Sequence, residues 1–484
     1  MSHQDRTSSI VVNHQVIKQV VDWLLAPALF CGLRTRSTAT WTPRMLAVAA
    51  LLWATAPETN LTDRFVTARK IVRKVFRWMA APGETYQGFM KTLGKWHLRL
   101  QLAIIPHVRL QMKETLPGQW EIAGYVVFAG DGSRIEVGRT ESLEEAFSPQ
   151  RKKKARKNKQ GKQAKSRRKQ HNRRPRQEKK KQSDESIAKK ENSPQMWLTL
   201  MWHVGTGLPW AWRTGPSDSS ERDHLQEMLA ELPENSLITA DAGFVGYDFW
   251  TAILNANHNF LIRVGANVRL LRNLGYARQH DHTVYLWPDA AAKKKQPPLV
   301  LRLIVIHDGK HPVYLVTNLS KSQLSDRQAG AAYSARWGIE LYFRTFKQTF
   351  GCRKLRSRCA KNAQLELDWS MLGLWCICLL GQRELLASGN DPASLSAAAA
   401  IKAFQKTIGD YRVRAEWPEE NLWSQLRLAV LDTYERPSSK TSRNYPRKKK
   451  RGNIGSPQIS RAKKEQVKSA QQLKTQQVEF RLPA

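Results

Sequence analysis

Four side chains within residues 333–347 have the types and the spacing of a site for a metal ion and a phosphate. The stretch reads YSARWGIELYFRTFK and contains Tyr333, Arg336, Glu340 and Lys347. On a continuous helix, at about 100° per residue, these four side chains fall within an arc of roughly 60°. One carboxylate beside two cations suits Glu340 as a metal ligand, with Arg336 and Lys347 holding phosphate oxygens.

The same stretch also fits an ordinary amphipathic surface helix. Glu340 and Arg344 are four residues apart, which is the spacing of a common helical ion pair. The stretch alone does not separate these two interpretations, so the carboxylates elsewhere in the chain have to decide between them.

Two aspartates follow apolar runs that read as strands. Asp131 follows YVVFAG and Asp241 follows SLITA, and each is followed by a glycine or an alanine. A carboxylate at the carboxyl end of a strand in an α/β sheet projects into a cleft, although an aspartate there can also simply start a turn. We predict strands that end at Asp131 and Asp241 and bring both carboxylates to Glu340.

Three converging carboxylates repel one another unless cations neutralise them. Oxygen ligands favour hard ions, which here means Mg²⁺ or Mn²⁺. Two such ions can activate a water or a 3′-hydroxyl and stabilise the leaving oxygen of a phosphodiester. The set Asp131, Asp241 and Glu340 therefore predicts metal-dependent chemistry on nucleic acid.

The composition agrees with a nucleic-acid partner. A net charge of +38 indicates a polyanion, most simply DNA or RNA. The basic runs lack interleaved apolar residues, which disfavours a membrane surface, and we expect no membrane partner. A purely packaging protein would not need 41% hydrophobic residues. The five cysteines show no paired Cys or His spacing, so we expect reduced thiols and no structural zinc.

Changes in pattern along the chain divide it into six parts. Strands alternating with helices predict an α/β core around one sheet. The parts are a helical region at 1–120, the first part of the core at 121–264, a β-rich insertion at 265–317, the second part of the core at 318–390, a helical region at 391–435 and a basic tail at 436–484.

Two segments are predicted to be disordered. In residues 151–181, 18 of 31 residues are Lys or Arg, and we place this run in a loop at 148–192. The tail at 436–484 is also basic, with little apolar content. Neither segment can bury enough apolar surface to fold alone.

The N-terminal region contains a helical pair that is a candidate for binding DNA ends. Residues 61–80 and 84–99 read as two helices separated by Ala81-Pro82-Gly83. This arrangement is similar to a helix-turn-helix, with Thr85, Gln87 and Lys91 on the second helix. An ordinary helical hairpin is the more common outcome of such a pattern.

Taken together, these motifs resemble the YREK signature of hairpin-forming bacterial insertion-sequence transposases. The order is Tyr, two residues, Arg, three residues, Glu, six residues, Lys. The sequences DGS at Asp131 and ADAGFVGYD around Asp241 resemble the first and second catalytic aspartates of that family. The resemblance covers about 121–385 and rests on an ordered combination of motifs.

The resemblance implies a ribonuclease H-like core interrupted by the β-rich insertion. It implies cut-and-paste transposition, through a DNA hairpin, by a homodimer that synapses the terminal inverted repeats and joins them to target DNA. The location implied is the nucleoid of the bacterial cytoplasm. The roles implied are two Mg²⁺ or Mn²⁺ ions on the catalytic residues Asp131, Asp241 and Glu340, and phosphate contacts from Tyr333, Arg336 and Lys347.

An aromatic ring in the insertion of such enzymes can stack on a flipped-out base. Trp287, in VYLWPDA, is the candidate here, but with 17 tryptophans in the chain a packing role is the more common one. Two other functions stay open. One is a nuclease of the same fold without strand transfer, and the other is a DNA-binding protein derived from an inactive transposase, against which the intact acidic set argues.

Overall fold

The computed structural model describes residues 13–36, 39–149, 194–277, 282–308, 311–411, 421–432 and 454–479. The basic run at 151–181 lies outside the described residues, and so does the first part of the tail. The helices are α1 (Asn13–Leu24), α2 (Pro43–Thr55), α3 (Leu61–Val75), α4 (Tyr86–Thr115), α5 (Glu141–Phe147), α6 (Glu221–Met228), α7 (Tyr247–Asn255), α8 (Asp289–Lys293), α9 (Asp326–Ala335), α10 (Gly338–Arg344), α11 (Ala360–Ala387), α12 (Ala397–Gly409), α13 (Leu422–Arg427) and α14 (Lys464–Glu479).

The strands form one mixed sheet. They are β1 (Val127–Glu136), β2 (Gln195–His203), β3 (Leu208–Gly215), β4 (Leu237–Ala240), β5 (Asn259–Val264), β6 (Arg269–Arg272), β7 (Thr283–Leu286), β8 (Leu299–Asp308), β9 (His311–Thr317) and β10 (Gln458–Arg461). Their order across the described sheet is β10-β6-β7-β8-β9-β5-β4-β1-β2-β3. The predicted α/β class is confirmed.

The direction of the strands changes at β1. Strands β1, β2 and β3 form an antiparallel meander, whereas β4 and β5 run parallel to β1. On the far side of β5, strand β9 pairs antiparallel with it, and β8, β7 and β6 follow. The strands of the region predicted to be β-rich, 265–317, thus extend the same sheet.

Helix α11 lies at the centre of the molecule. It is apolar around its whole circumference and contacts α2, α4, α12, α13 and β3. By length and composition it is the one described helix that could cross a membrane, and 94% of its apolar window is buried inside the protein. An all-round apolar helix is what the core of a large protein requires.

Two carboxylates on α11 tie the surrounding elements together. Asp368 accepts hydrogen bonds from His97 of α4 at 3.0 Å and from Trp212 of β3 at 2.7 Å. Glu366 accepts from the backbone nitrogens of Arg356 and Ser357, at 3.0 and 2.8 Å. A buried carboxylate is tolerated only with such partners, so this helix fixes α4, β3 and residues 356–357 relative to one another.

The structure differs from the prediction at the first aspartate. Strand β1 does not end at Asp131 but continues to Glu136, because β2 pairs with it along its full length and places Leu200 opposite Asp131. Strand β4, by contrast, ends at Ala240 as expected. A strand's end is set by how far its neighbour pairs with it, which the apolar run alone does not show.

The prediction of one continuous helix through residues 333–347 is wrong. Helix α9 ends at Ala335 and α10 begins at Gly338, with tight turns between them in which the nitrogen of Trp337 bonds the carbonyl of Ser334. The segment Thr345–Thr349 then forms a wider π-turn. Such interruptions redirect side chains, so the common 60° arc does not describe this site.

Part of the tail predicted to be disordered has regular structure. Strand β10 pairs parallel with β6, and Ala470 of α14 is fully buried. The segment gains this order because β6 is otherwise an open edge whose backbone groups lack partners. Composition predicts that these residues cannot fold alone, but it does not show the edge that receives them.

Candidate active site

The two aspartates lie where strands β1 and β4 separate. The pairing of these parallel strands runs from Val127 opposite Leu237 to Ala129 opposite Thr239. Asp131 and Asp241 each stand four residues beyond the first of these pairs, so the register aligns them. Neighbouring strands are about 4.8 Å apart, and the opening between two strands where the strand order reverses is where α/β sheets bind ligands.

Local backbone contacts orient both carboxylates. Asp131 Oδ1 accepts a hydrogen bond of 2.9 Å from the nitrogen of Gly132. Asp241 Oδ1 accepts one of 2.8 Å from the nitrogen of Gly243, and so caps the 3₁₀ turn Ala242–Phe244. The second carboxylate oxygen of each aspartate is not used in these contacts and is available to a further partner.

Glu340 reaches the same region from α10. Its side chain is 39% exposed. The helix lies close to the sheet because Gly338 has no side chain: a Cβ there would stand 2.1 Å from the indole of Trp202 on β2. This glycine therefore sets how near α10, and with it Glu340, approaches the aspartates.

Electrostatic interactions link the three predicted carboxylates. The pKa of Asp131 is raised to about 6: burial is the largest cause, the charges of Asp241 and Glu340 add to it, and the Gly132 hydrogen bond and Arg336 oppose it. Burial also raises the pKa of Glu340, with Asp241 adding to the effect and Arg336 opposing it. Each carboxylate thus lies within the field of the others, although the sequence separates them by about a hundred residues.

The set of ligand atoms is of the type that binds a hard divalent cation. It consists of carboxylate oxygens, which Mg²⁺ and Mn²⁺ prefer, and its mutual repulsion is what a cation relieves. Within the described parts of the chain, no three His, Cys, Asp or Glu side chains stand close enough to hold a metal ion as they are. Binding therefore requires these carboxylates to draw together.

A fourth carboxylate, Glu221, belongs to this cluster and was not predicted. It is the first residue of α6, after the capping Ser220. Its pKa is raised to about 7, mainly by burial and further by the charges of Asp131 and Asp241. The helix start Ser220-Glu221-Arg222 was visible in the sequence, but nothing there placed it beside the aspartates.

The three predicted phosphate-binding side chains lie around the carboxylates in different settings. Lys347 donates to the hydroxyl of Ser133 at 2.5 Å, and burial lowers its pKa. Arg336 is buried, with its guanidinium 3.9 Å from Glu340 and 5.3 Å from the centre of the Tyr333 ring. These contacts bring all three to the border of the acidic cluster.

Two polar groups of this border have no hydrogen-bond partner among the described residues. They are the hydroxyl of Tyr333 and Nε of Arg336, and both atoms are buried. A buried donor without a partner is costly, and an anionic oxygen would satisfy both groups.

Two tryptophans, Trp287 and Trp337, differ in exposure. Trp287, the predicted base-stacking residue, is 5% exposed, and its indole N–H donates to the carbonyl of Gln296 at 2.9 Å. It packs in the core, and stacking would require the ring to leave that position. Trp337, which sequence reasoning passed over, is 56% exposed and lies between Arg336 and Glu340.

Comparisons with known proteins agree on one class of protein. The model of the family described as "Transposase DDE domain" matches residues 122–377. The transposase InsG for insertion sequence element IS4 of Escherichia coli (strain K12) is 26% identical over 189 residues, which covers 37% of this chain and 42% of that protein. This chain therefore matches less than half the length of that relative.

One solved structure aligns with most of the chain at low similarity. The synaptic complex of piggyBac transposase with hairpin DNA matches with a TM-score of 0.38 and 9% identity, over 90% of this chain and 88% of that chain. A TM-score at this level does not establish a common fold.

Proposed function

This chain belongs to the family of proteins with a transposase DDE domain, and from that premise we propose that it is a metal-dependent DNA transposase. The reaction proposed is excision of an insertion sequence and its transfer to target DNA by cut and paste, with a hairpin at the excised end. The core proposed is ribonuclease H-like. The observation that carries the proposal is the alignment of Asp131 and Asp241 at the opening between β1 and β4, with Glu340 within their field.

In this proposal Asp131, Asp241 and Glu340 hold two Mg²⁺ or Mn²⁺ ions. When bound, such ions lower the pKa of a nucleophilic water or 3′-hydroxyl and stabilise the leaving oxygen. The protein's own contribution is to keep the carboxylates oriented by the backbone of Gly132 and Gly243. The pKa of Asp131 is raised to about 6, mainly by burial, so this carboxylate takes up a cation most readily above about pH 6.

The cations around the cluster position the phosphate in this proposal. Arg336 Nε and the hydroxyl of Tyr333 are two buried donors that lack a hydrogen-bond partner among the described residues, and both are suited to one phosphate oxygen each. Lys347 keeps its contact with Ser133, two residues from Asp131, and so holds a charge beside the metal ligands. These contacts fix the strand to be cut relative to the carboxylates.

Two copies of the chain are proposed to act together on DNA in the bacterial cytoplasm. Joining both ends of an element to one target requires two active sites, so we propose a homodimer that binds double-stranded terminal inverted repeats and target DNA. The net charge of +38 supports tight and salt-dependent DNA binding. A nuclease without strand transfer would share the acidic cluster and would fail only in the joining step.

The test compares wild type with Glu340→Ala and Glu340→Gln on DNA that carries the element's own ends, with and without Mg²⁺. Wild type should cut and form hairpin ends with Mg²⁺ only, and both variants should lose cleavage at least about a thousandfold while binding DNA nearly as before. Asp248→Asn, an exposed carboxylate on α7, is the matched control and should cut normally. Equal cleavage by wild type and the Glu340 variants would exclude this assignment.

A further inference from the structure

Helix α6 begins against the backbone of Asp131. A Cβ on Gly132 would stand 2.5 Å from Oε1 of Glu221, and a Cβ on Gly130 would stand 2.4 Å from a methyl group of Leu225. The glycines on both sides of Asp131 therefore leave the space in which α6 packs on β1. The carboxylate of Glu221 lies directly over the residue that follows Asp131.

The next residue fixes the same helix to the other aspartate. Arg222 donates from Nη1 to the carbonyl of Val245 at 2.9 Å, in the segment that follows Asp241. Ser220 caps the helix by accepting from the nitrogen of Asp223 at 3.3 Å. The start of α6 is thus held both against β1, at Gly132, and against the segment that follows Asp241, at Val245.

Among the described residues, Glu221 has no hydrogen bond or ion pair that would explain a partly buried carboxylate at this position. Its charge lies in the field of Asp131 and Asp241, and the cations that act on it, Arg222 and Arg134, oppose that field only in part. Across the cluster, Arg336 is 8% exposed with its Nε unpartnered among the described residues. A group of carboxylates that faces a buried guanidinium, one nitrogen of which has no partner among the described residues, is arranged for an ionic ligand and not for packing.

We propose that Glu221 is a fourth carboxylate ligand of the active site and binds a divalent cation together with Asp131 and Asp241. This inference rests on the proposed function, since it assigns a further ligand to the same metal site. With Glu221 the active site has four carboxylate ligands, one more than the Asp131, Asp241 and Glu340 of the signature. It also gives the two glycines around Asp131 a reason: any side chain at either position would push Glu221 or its helix away.

The test uses the full-length protein and the isosteric variant Glu221→Gln. The first measurement is Mn²⁺ binding by calorimetry without DNA, and the second is the Mg²⁺ dependence of cleavage of the element's ends. Removing even a group that only supports a metal ligand weakens binding by about 10- to 100-fold. We expect Glu221→Gln to weaken Mn²⁺ binding at least about tenfold, and to raise the Mg²⁺ concentration for half-maximal cleavage by a similar factor.

Three comparisons make the outcome specific. Glu227→Gln, on the exposed side of the same helix, should match wild type in both measurements. Asp131→Asn should lose Mn²⁺ binding and cleavage. Glu221→Gln should unfold, without metal, at the same temperature as wild type or higher, because it removes a repelling charge, and it should gain less stability from added Mn²⁺.

The two proposals fail in different ways. If Asp131→Asn abolishes cleavage but Glu221→Gln matches wild type in Mn²⁺ affinity and in Mg²⁺ dependence, only the role of Glu221 is overturned. It is also overturned if metal-free Glu221→Gln is less stable than wild type while its Mn²⁺ affinity is unchanged, since the carboxylate would then be structural. If wild type does not cut, or if Asp131→Asn cuts normally, the proposed function itself fails.

Discussion

Asp131 and Glu221 hold negative charge in a partly buried site beside other carboxylates. In each case burial is the largest cause of the raised pKa, and the neighbouring carboxylates add to it. Folding without metal therefore works against the ionisation of these groups, and binding of a cation reverses the preference. Removing one carboxylate should therefore lower both the pKa values of the remaining carboxylates and the affinity of the site for a metal ion.

The first prediction concerns Asp131→Asn and pH. The pKa of Asp131 is raised from 3.8 to about 6 in the folded protein, so the stability that the neutral carboxyl contributes is complete below pH 3.8 and is lost as pH rises to about 6. Asparagine carries no charge. In EDTA, the melting temperature of Asp131→Asn should equal that of wild type near pH 4 and exceed it above pH 6. The free energy of unfolding should then be larger for the variant by at most about 3 kcal/mol.

The measurement is thermal unfolding in EDTA from pH 4 to pH 8. Asp248→Asn is the control, because that side chain is exposed, and its melting temperature should follow wild type at every pH. An Asp131→Asn curve that runs parallel to wild type over this range would contradict the burial of charge at this position.

The second prediction separates the two tryptophans. Trp337→Ala removes a ring that is 56% exposed and should change the free energy of unfolding by no more than about 0.5 kcal/mol. If the ring stacks on a DNA base, the same change should weaken binding to element ends by about 1–3 kcal/mol. Trp287→Ala removes a buried ring and should cost about 3–5 kcal/mol of stability.

Urea unfolding and titration of each variant with DNA ends measure the two effects. The stability of the two variants should differ clearly, and Trp337→Ala should bind the ends less tightly although it is as stable as wild type. If Trp287→Ala were as stable as wild type but bound the ends less tightly, Trp287 would be the base-stacking residue, as the sequence predicts.

At the scale of elements, the site depends on the interruption of the helix that carries Glu340. The tight turns after α9 and the glycine that begins α10 let the helix approach β2, and the π-turn that follows brings Lys347 to Ser133. The nitrogen of Arg353 bonds the carbonyl of Lys347 at 3.0 Å, which fixes the end of the π-turn. Functional residues are often found at such turns.

The third prediction is that Gly338→Ala reduces cleavage by displacing α10. Its Cβ would meet the indole of Trp202 at 2.1 Å, and the helix with Glu340 must then move. We expect a loss of about 100-fold in the rate of cleavage, with a cost of about 1–3 kcal/mol in stability from overpacking. Single-turnover cleavage and urea unfolding measure both quantities.

Two variants test the mechanism of this loss. Gly409→Ala adds a methyl group in open space at the end of α12, so it should change neither the rate of cleavage nor the stability. A second change, Trp202→Leu, makes room for the new methyl group and should restore part of the cleavage rate to Gly338→Ala. Without any such recovery, the contact with Trp202 would not be the cause.

At the scale of the whole molecule, β10 and α14 of the tail join the β-rich region. The nitrogen of Gln458 bonds the carbonyl of Val268, and the nitrogen of Ala462 bonds that of Arg272. Ala470 of α14 is fully buried. Strand β10 therefore completes the edge of a sheet whose other strands belong to residues 127–317.

The fourth prediction is that truncation after residue 453 loosens this edge. Without β10 and α14, the backbone groups of β6 lose their partners, and amide hydrogen exchange in β6 and β7 should become at least about tenfold faster. Exchange in β1 and β4 should stay as in wild type, because β7, β8, β9 and β5 lie between them and β6. Ala470→Asp should reproduce the effect, whereas Lys468→Ala on the exposed face should not.

Residue types and their spacing in the sequence predict the chemistry of this protein. Residue types and spacings are local facts, so the aspartates after apolar strands, Glu340 among its cations and the charge of +38 already pointed to metal-dependent chemistry on DNA. Apolar runs and turn residues likewise predicted an α/β fold. The tertiary structure decided which groups meet: the β1–β4 register aligns Asp131 with Asp241, and Gly132 admits Glu221. It also buried Trp287, exposed Trp337 and paired β10 of the tail with β6, because burial and pairing depend on neighbours that are distant in the chain.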